Sequence, residues 1–324
     1  MSWSSWQPLA RLPGCKKNTP YKKDLHPVYY NHNYASLKDF AEHLSLVGKS
    51  LGSAQSYYRQ MRLVSEHFVA NPKSLPQKRL GEYLVYLKED RGWAASTRRQ
   101  ATASCREFYA GMLGKDWKLW DVVSVRDSQK LPVVLDVEQT RSVLASVPLM
   151  RHRMPLRLIY CCGLRLDEAV KLTVDDVEPG RILVRGGKGG KDRYVPLSET
   201  MLGELRRHWL QHRNAKWLFP SAGRGHPSNA RERMGKSEAP FGKGALQLAF
   251  HRAVAASGTR KKATVHTLRH SYATHLLAMG VNIRQLQLYL GHESIETTCI
   301  YLHLIPFGEE KSMEHVEAIA KMTL

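Results

Sequence analysis

The chain is 324 residues long, with 49 Lys and Arg against 29 Asp and Glu and a formal charge of +20. That length fits two domains better than one, and a hydrophobic fraction of 43% leaves ample material for their cores. The charge points to a polyanionic partner, nucleic acid before a membrane surface, with a merely solvated basic surface as the alternative. No apolar run of about 18 residues is present, which excludes a transmembrane helix. The start Met1-Ser2-Trp3-Ser4-Ser5-Trp6 lacks the charged end and apolar centre of a signal peptide. Five cysteines, an odd number without a CxxC pair, predict free thiols in a reducing cytoplasm.

In chain order, residues 1–33 read as a basic arm: five Lys/Arg face one Asp, and prolines stand at 8, 13, 20 and 27. Residues 34–115 read as a helical domain. Leu37, Phe40, Ala41, Leu44 and Val47 recur at helical spacing and Gly48 ends the segment. Ser53 is placed to N-cap a second helix with Tyr57, Met61, Val64 and Phe68 inward, stopped at Asn71-Pro72. Leu80, Tyr83, Leu84 and Leu87 mark a third helix, closed near Gly92. Ser96 opens a fourth, with Ala101, Cys105, Phe108, Tyr109 and Met112 inward and Arg98, Arg99, Gln100 and Arg106 on the other face. That basic face suits a DNA groove; a solvated surface helix is the alternative. The charge-mixed stretch 116–131, ending at Leu131-Pro132, reads as a linker.

Residues 132–324 read as a mixed domain. Asp136 caps a helix running through Ser146, and a helix containing Leu156, Ile159 and Tyr160 leads to Gly163 and a helical turn with Arg165 and Glu168. Alternation at Arg181–Arg185 and Asp192–Leu197 around Gly186-Gly187-Lys188-Gly189-Gly190 predicts a β-hairpin with Lys188 at its tip. Helices at Glu199–His212 and Lys243–Ser257 follow, with Ser221–Gly242 between them as a long polar loop or insertion. Residues 264–279 form a helix stopped by Gly280, with Leu268, Tyr272 and Leu276 inward and His266, Arg269 and His270 turned outward together. A further helix over 282–290 ends at Gly291, leaving His292 just past its terminus, and Tyr301 stands nine residues later. The last helix carries Met313, Val316 and Ala320 on one side.

Two arginines, several histidines and one tyrosine on a basic chain point to attack on a phosphodiester. Guanidinium forks match phosphate oxygens, a phenolate is a covalent nucleophile, and imidazoles move protons near neutral pH. Singly, each has a plainer reading: Tyr301 as a half-buried aromatic, His292 as a cap on a carbonyl, Arg165 paired only with Glu168. His266 and His270 have the spacing of zinc ligands, but no HExxH glutamate accompanies them, and no metal is assigned. Gly186–Lys191 fails as a P-loop, because Asp192 replaces the Ser/Thr and a strand follows.

Taken together the pattern resembles the tyrosine recombinase (phage integrase) family, its Xer-like branch above all. Gly163-Leu164-Arg165 with Glu168, the Gly-Lys-Gly hairpin, His266-Thr267-Leu268-Arg269-His270, Leu290-Gly291-His292 and Tyr301 match its motifs in order. The resemblance covers residues 35–324 and is weaker in the N-terminal half. It implies a mainly α fold with a small antiparallel β-sheet. Two domains would close as a C-shaped DNA clamp: a SAM-like helical core-binding domain and a mixed α/β catalytic domain ending in an exchange tail at 302–324. It implies Tyr301 as nucleophile, Arg165 and Arg269 on the non-bridging oxygens, His292 as a donor to the phosphate and Lys188 as leaving-group acid. His266 would assist proton removal from Tyr301, with Glu168 and His270 as supports behind them. Ser53, Tyr57, Arg62, Thr97, Arg98 and Arg193 would touch DNA.

Neither metal nor cofactor is implied. The implied partners are double-stranded DNA with paired core sites, three further copies of the chain in a tetramer, and accessory DNA-bending or directionality proteins. The reaction would run through a Holliday junction in the cytoplasm, on the nucleoid, for a mobile element or for chromosome or plasmid dimer resolution. A type IB topoisomerase and a non-catalytic DNA-binding regulator are the rival readings. Two departures stand out: the arm before residue 34 is longer than in minimal Xer-like proteins, and the segment 221–242 is extended, as in integron integrases.

Overall fold

A computed structural model of the protein describes residues 35–123, 125, 131–186, 191–223, 225–304 and 321. The arm at 1–33, the hairpin tip with Lys188, and the tail residues Met313, Val316 and Ala320 lie outside the described residues. The chain divides into two units, Met1–Gln129 and Lys130–Leu324.

In the first unit the apolar spacing produces α1 (Ala35–Leu46), α2 (Leu51–Phe68), α3 (Gln77–Glu89) and α4 (Ala95–Arg106). Ser50 is the cap of α2: its side chain accepts the N–H of Ser53, so Ser53 lies inside the first turn and is not the cap. Such a cap contributes about 1 kcal/mol. Ser96 is likewise inside α4, which starts one residue earlier behind Ala94. Val47 stays 47% exposed, because the helix has already ended and the chain turns away from the core.

After Arg106 the fourth helix widens into π-helical turns over Glu107–Met112. The extra residue per turn lets Phe108 and Tyr109 both sink fully into the core. Phe108 packs edge-on against Phe40, and Tyr109 donates its hydroxyl proton to the Pro72 carbonyl at 2.8 Å. Full burial of each such ring contributes on the order of 1.5–3 kcal/mol. Trp117, Leu119 and Trp120, around the short helix α5 (Leu119–Val122), pack on this same core.

The second unit is built on α6 (Val137–Ala145), α7 (Met150–Cys162) and α8 (Leu166–Val170), a sheet, α9 (Glu199–Leu210), α10 (Ala230–Gly235), α11 (Lys243–Ala256), α12 (Val265–Ala278), α13 (Ile283–Leu290) and α14 (Glu296–Cys299). Asp136 caps α6 through a reciprocal bond pair with Gln139. The strands β1 (Val177–Glu178), β2 (Arg181–Val184) and β3 (Arg193–Pro196) form an antiparallel sheet in the order β1-β2-β3, with Ile182 facing Val195 in the core. The two-residue β1 is too short to show an alternation, and the sequence pattern misses it. The protein is therefore mainly α with one small antiparallel sheet.

Ser221–Gly242, expected as a loop, contains α10, with Ala230 and Met234 buried. Buried Asn214 holds that segment. Its amide donates to the carbonyls of Met234, Gly235 and Ser237 while its oxygen accepts the N–H groups of Lys216 and Trp217. Among the described residues no helix is long and apolar enough to cross a membrane, and Cys105, Cys161, Cys162 and Cys299 are free thiols.

Candidate active site

Arg165 is placed by a turn that only glycine accepts. Helix α7 ends at Gly163 with φ 62°, and a Cβ there would lie 2.4 Å from the ring of Tyr272. Leu164 then anchors in the core, and Arg165 takes the extended N-cap position of α8. Glu168, in the first turn of α8, accepts the Arg165 backbone N–H at 2.7 Å and its Nη1 at 2.8 Å.

The same carboxylate receives Arg193 from β3 as a fork, Nη1 at 2.9 Å to Oε1 and Nη2 at 2.8 Å to Oε2. Burial alone would raise the Glu168 pKa; the hydrogen bonds and charge of Arg193, then those of Arg165, overcome it and hold the group down to about 2. Arg193 was expected on DNA. Its side chain is instead only 11% exposed and occupied by Glu168, because a buried carboxylate demands a paired cation.

Arg269 also departs from expectation. The residue is 1% exposed, not turned outward. Nη1 donates to the Gly163 carbonyl and Nη2 to that of Leu290, both at 2.6 Å. The open carbonyl ends of α7 and α13 draw the guanidinium inward. Burial, then the neighbouring Arg165, lower its pKa to about 9, which leaves it cationic at neutral pH. Arg165, Arg193 and Arg269 surround one carboxylate, so the pocket carries a net positive charge.

His292 sits past the left-handed Gly291 that ends α13. Its Nε2 faces Arg269 Nη2 at 3.1 Å and its Nδ1 faces the buried Thr298 hydroxyl at 2.9 Å. A guanidinium only donates, so Nε2 accepts and Nδ1 carries the proton. Burial, then Arg269, Arg165 and Arg193, push its pKa to about 3. Tyr301 is 1% exposed, stacked beside His292 with ring centroids 6.4 Å apart. Burial raises its pKa, opposed by Arg269 and Arg165.

The imidazole on the Tyr301 oxygen is His270, Nδ1 to Oη 3.0 Å. His266 was expected there. It packs edge-on against His270 with centroids 4.6 Å apart, because it lies one helical turn earlier, at the exposed rim. Burial, then His266 and Arg269, lower the His270 pKa to about 4, so the ring is neutral, and in the tautomer with its proton on Nε2 its Nδ1 accepts from the phenol. The pocket thus gathers Arg165, Glu168, Arg269, His270, His292 and Tyr301, with His266 at the rim; Lys188 lies outside the described residues. Arg193 and Thr298 are the site neighbours whose places the sequence did not show. Among the described residues no three His, Cys, Asp or Glu cluster to hold a metal ion.

In the first unit Ser53 is exposed on α2 and Thr97 partly exposed on α4. The Lys49 ammonium lies 5.5 Å above the Tyr57 ring. Two arginines expected to touch DNA are already engaged: Arg62 pairs with Glu66 at 3.4 Å, and Arg98 Nε donates to the Trp93 carbonyl at 3.1 Å. Gln100 donates to Ser56 and ties α4 to α2.

Comparison with known proteins locates both units. Residues 134–306 match the model of the phage integrase family, and residues 37–119 match that of the phage integrase N-terminal SAM-like domain. An integrase/recombinase of Sinorhizobium fredii is 36% identical over 267 residues, 82% of each chain. The tyrosine recombinase XerD of Caulobacter vibrioides is 32% identical over 234 residues, covering 66% of this chain and 72% of its own. In fold the chain is similar to a lambda integrase solved as a tetramer bound to a Holliday junction, with TM-score 0.66 at 16% identity, covering 82% of this chain and 76% of that one.

Proposed function

The chain belongs to the phage integrase family, and from that premise and the pocket geometry we propose how it cleaves and rejoins DNA as a site-specific tyrosine recombinase. Tyr301 Oη attacks the scissile phosphorus as its proton passes to His270 Nδ1. The bond from phosphorus to the 5′-oxygen breaks, leaving a 3′-phosphotyrosyl link and a 5′-hydroxyl. Lys188 supplies the leaving oxygen's proton. Arg165 and Arg269 offset charge on the non-bridging oxygens of the pentavalent transition state. His292 donates to the phosphate after the Thr298 hydroxyl rotates to donate to Nδ1 and leaves the proton on Nε2. Reversal by another strand's 5′-hydroxyl rejoins DNA without ATP, because the phosphotyrosyl bond keeps the phosphodiester energy.

The observation that carries this reading is the 3.0 Å contact of Tyr301 with a neutral imidazole inside a pocket of three guanidiniums. By analogy with the lambda integrase tetramer, four copies pair two core sites through a Holliday junction, in the cytoplasm on the nucleoid, with DNA-bending or directionality proteins as accessories. The relationship to an integrase/recombinase supports a role on a mobile element, with chromosome or plasmid dimer resolution by the same chemistry as the alternative. Ser53, Tyr57 and Thr97 are the contacts proposed for DNA in the first unit.

Tyr301→Phe tests the reading. On a nicked suicide substrate the parental chain should form an SDS-resistant adduct, and the variant should bind the same site and form none. An adduct from the Phe variant would assign the nucleophile elsewhere, and Tyr289 would be tested next. A two-site assay that yields only relaxed circles and no junction would favour the topoisomerase reading.

A further inference from the structure

We propose that Arg193 is a positioning residue for strand cleavage, holding two separate phosphate ligands in one register. This rests on the reading of the site given above. Arg193 opens β3, opposite Val184 of β2, and follows Lys188 by five residues in the chain. Its planar fork closes on both oxygens of Glu168. The lone pairs left on Glu168 then fix Arg165 through its backbone N–H and its Nη1.

The third donor of Arg193, Nε, reaches the Tyr289 carbonyl at 2.9 Å, in the last turn of α13. Its aliphatic stem lies flat on Gly291, where a Cβ would meet Arg193 Cδ at 2.8 Å. That glycine is the residue before His292. One side chain therefore binds the carboxylate that aims Arg165 and the turn that aims His292, and it ties both to the hairpin edge. Nε, Nη1 and Nη2 each donate to a protein acceptor, and through these bonds Arg193 acts on Arg165 and His292.

Lysine keeps the charge but supplies a point donor in place of the three-way fork. Arg193→Lys in the full chain should leave affinity for a single site near parental and slow suicide-substrate cleavage about a hundredfold, the cost of a misplacement of roughly 1 Å. Combined with Arg165→Ala, it should slow cleavage further by clearly less than its full factor, because the part carried through Arg165 is already lost and only the part through His292 remains. Simple destabilisation would instead multiply the two defects.

Parental cleavage by Arg193→Lys, or multiplied defects in the double variant, would overturn the proposal. If Arg193→Lys folds poorly, Arg193→Gln, which leaves Glu168 paired with Arg165, carries the same test: it should bind DNA and cleave slowly, and parental cleavage by it would overturn the proposal. A parental chain without a Tyr301-dependent adduct would overturn the underlying reading of the site. A parental adduct together with unimpaired Arg193→Lys would overturn this inference alone.

Discussion

A phenol gives its proton most readily to the neutral base its oxygen already touches. His270 has that contact, whereas His266 reaches Tyr301 only across the His270 ring. His270→Ala should therefore lower single-turnover cleavage about 10²–10⁴-fold, the range of one general base, with site binding retained. His266→Ala should lose less than a tenth of that factor on a logarithmic scale if it merely shields His270. Equal losses in the two variants, or a larger one for His266, would show that the helix shifts on DNA and brings His266 to the phenol. Which of two histidines four residues apart touches the tyrosine depends on how the turn after α14 meets α12, a long-range feature that spacing does not contain.

At the scale of elements, the site hangs on helix ends. Gly163 ends α7, Gly291 ends α13, and both carry positive φ. The freed carbonyls of Gly163 and Leu290 are the two that grip Arg269. Alanine at 163 would meet the left-handed penalty of roughly 1–2 kcal/mol and displace the Tyr272 ring at roughly 1–3 kcal/mol more. Gly163→Ala should thus destabilise the chain by about 2–5 kcal/mol, read from the denaturant midpoint of the second unit's transition, and should slow cleavage because Arg165 and Arg269 both move. A midpoint within experimental error of parental would mean that the turn has room the structure does not show. These turns were legible in advance, since glycine after an apolar period signals a helix end. The fold of α10 was not: six helical residues in a Gly- and Arg-rich stretch carry too little periodicity, and the decisive anchor, Asn214, lies outside the segment.

For the whole molecule, acid is the informative stress. His208 on α9 is 2% exposed, and neither ring nitrogen has a hydrogen-bond partner among the described residues. Burial, then His212, hold its pKa near 4 in the fold, against about 6.5 for a solvated histidine. The unfolded chain therefore binds the proton first. The stability this group contributes is complete above about pH 6.5, is lost as pH falls toward about 4, and amounts to roughly 3 kcal/mol. His270 and His292 titrate in the same direction, so the parental chain should lose stability steeply in this window. His208→Leu should flatten the dependence of the unfolding midpoint on pH between 6.5 and 4.5. An unchanged slope would show that the protein opens locally to let His208 charge.

The sequence by itself determined the motif order, the helical and hairpin periods, the glycine stops and the chemical inventory of the pocket. Those follow from short-range rules: side-chain period, cap chemistry and the residue types that phosphate chemistry needs. It also determined the excess of positive charge, which is a sum and needs no fold. Only the tertiary structure decided the orientation of the pocket. Arg269 looked like an outward residue on a helical face, and the carbonyl of Gly163, 106 residues away, turns it into a buried one. Arg193 was expected to touch DNA, and Glu168, 25 residues earlier, claims it. Charged groups settle where burial is matched by partners, and those partners come from elements distant in the chain, so their contacts are decided by packing and not by local pattern.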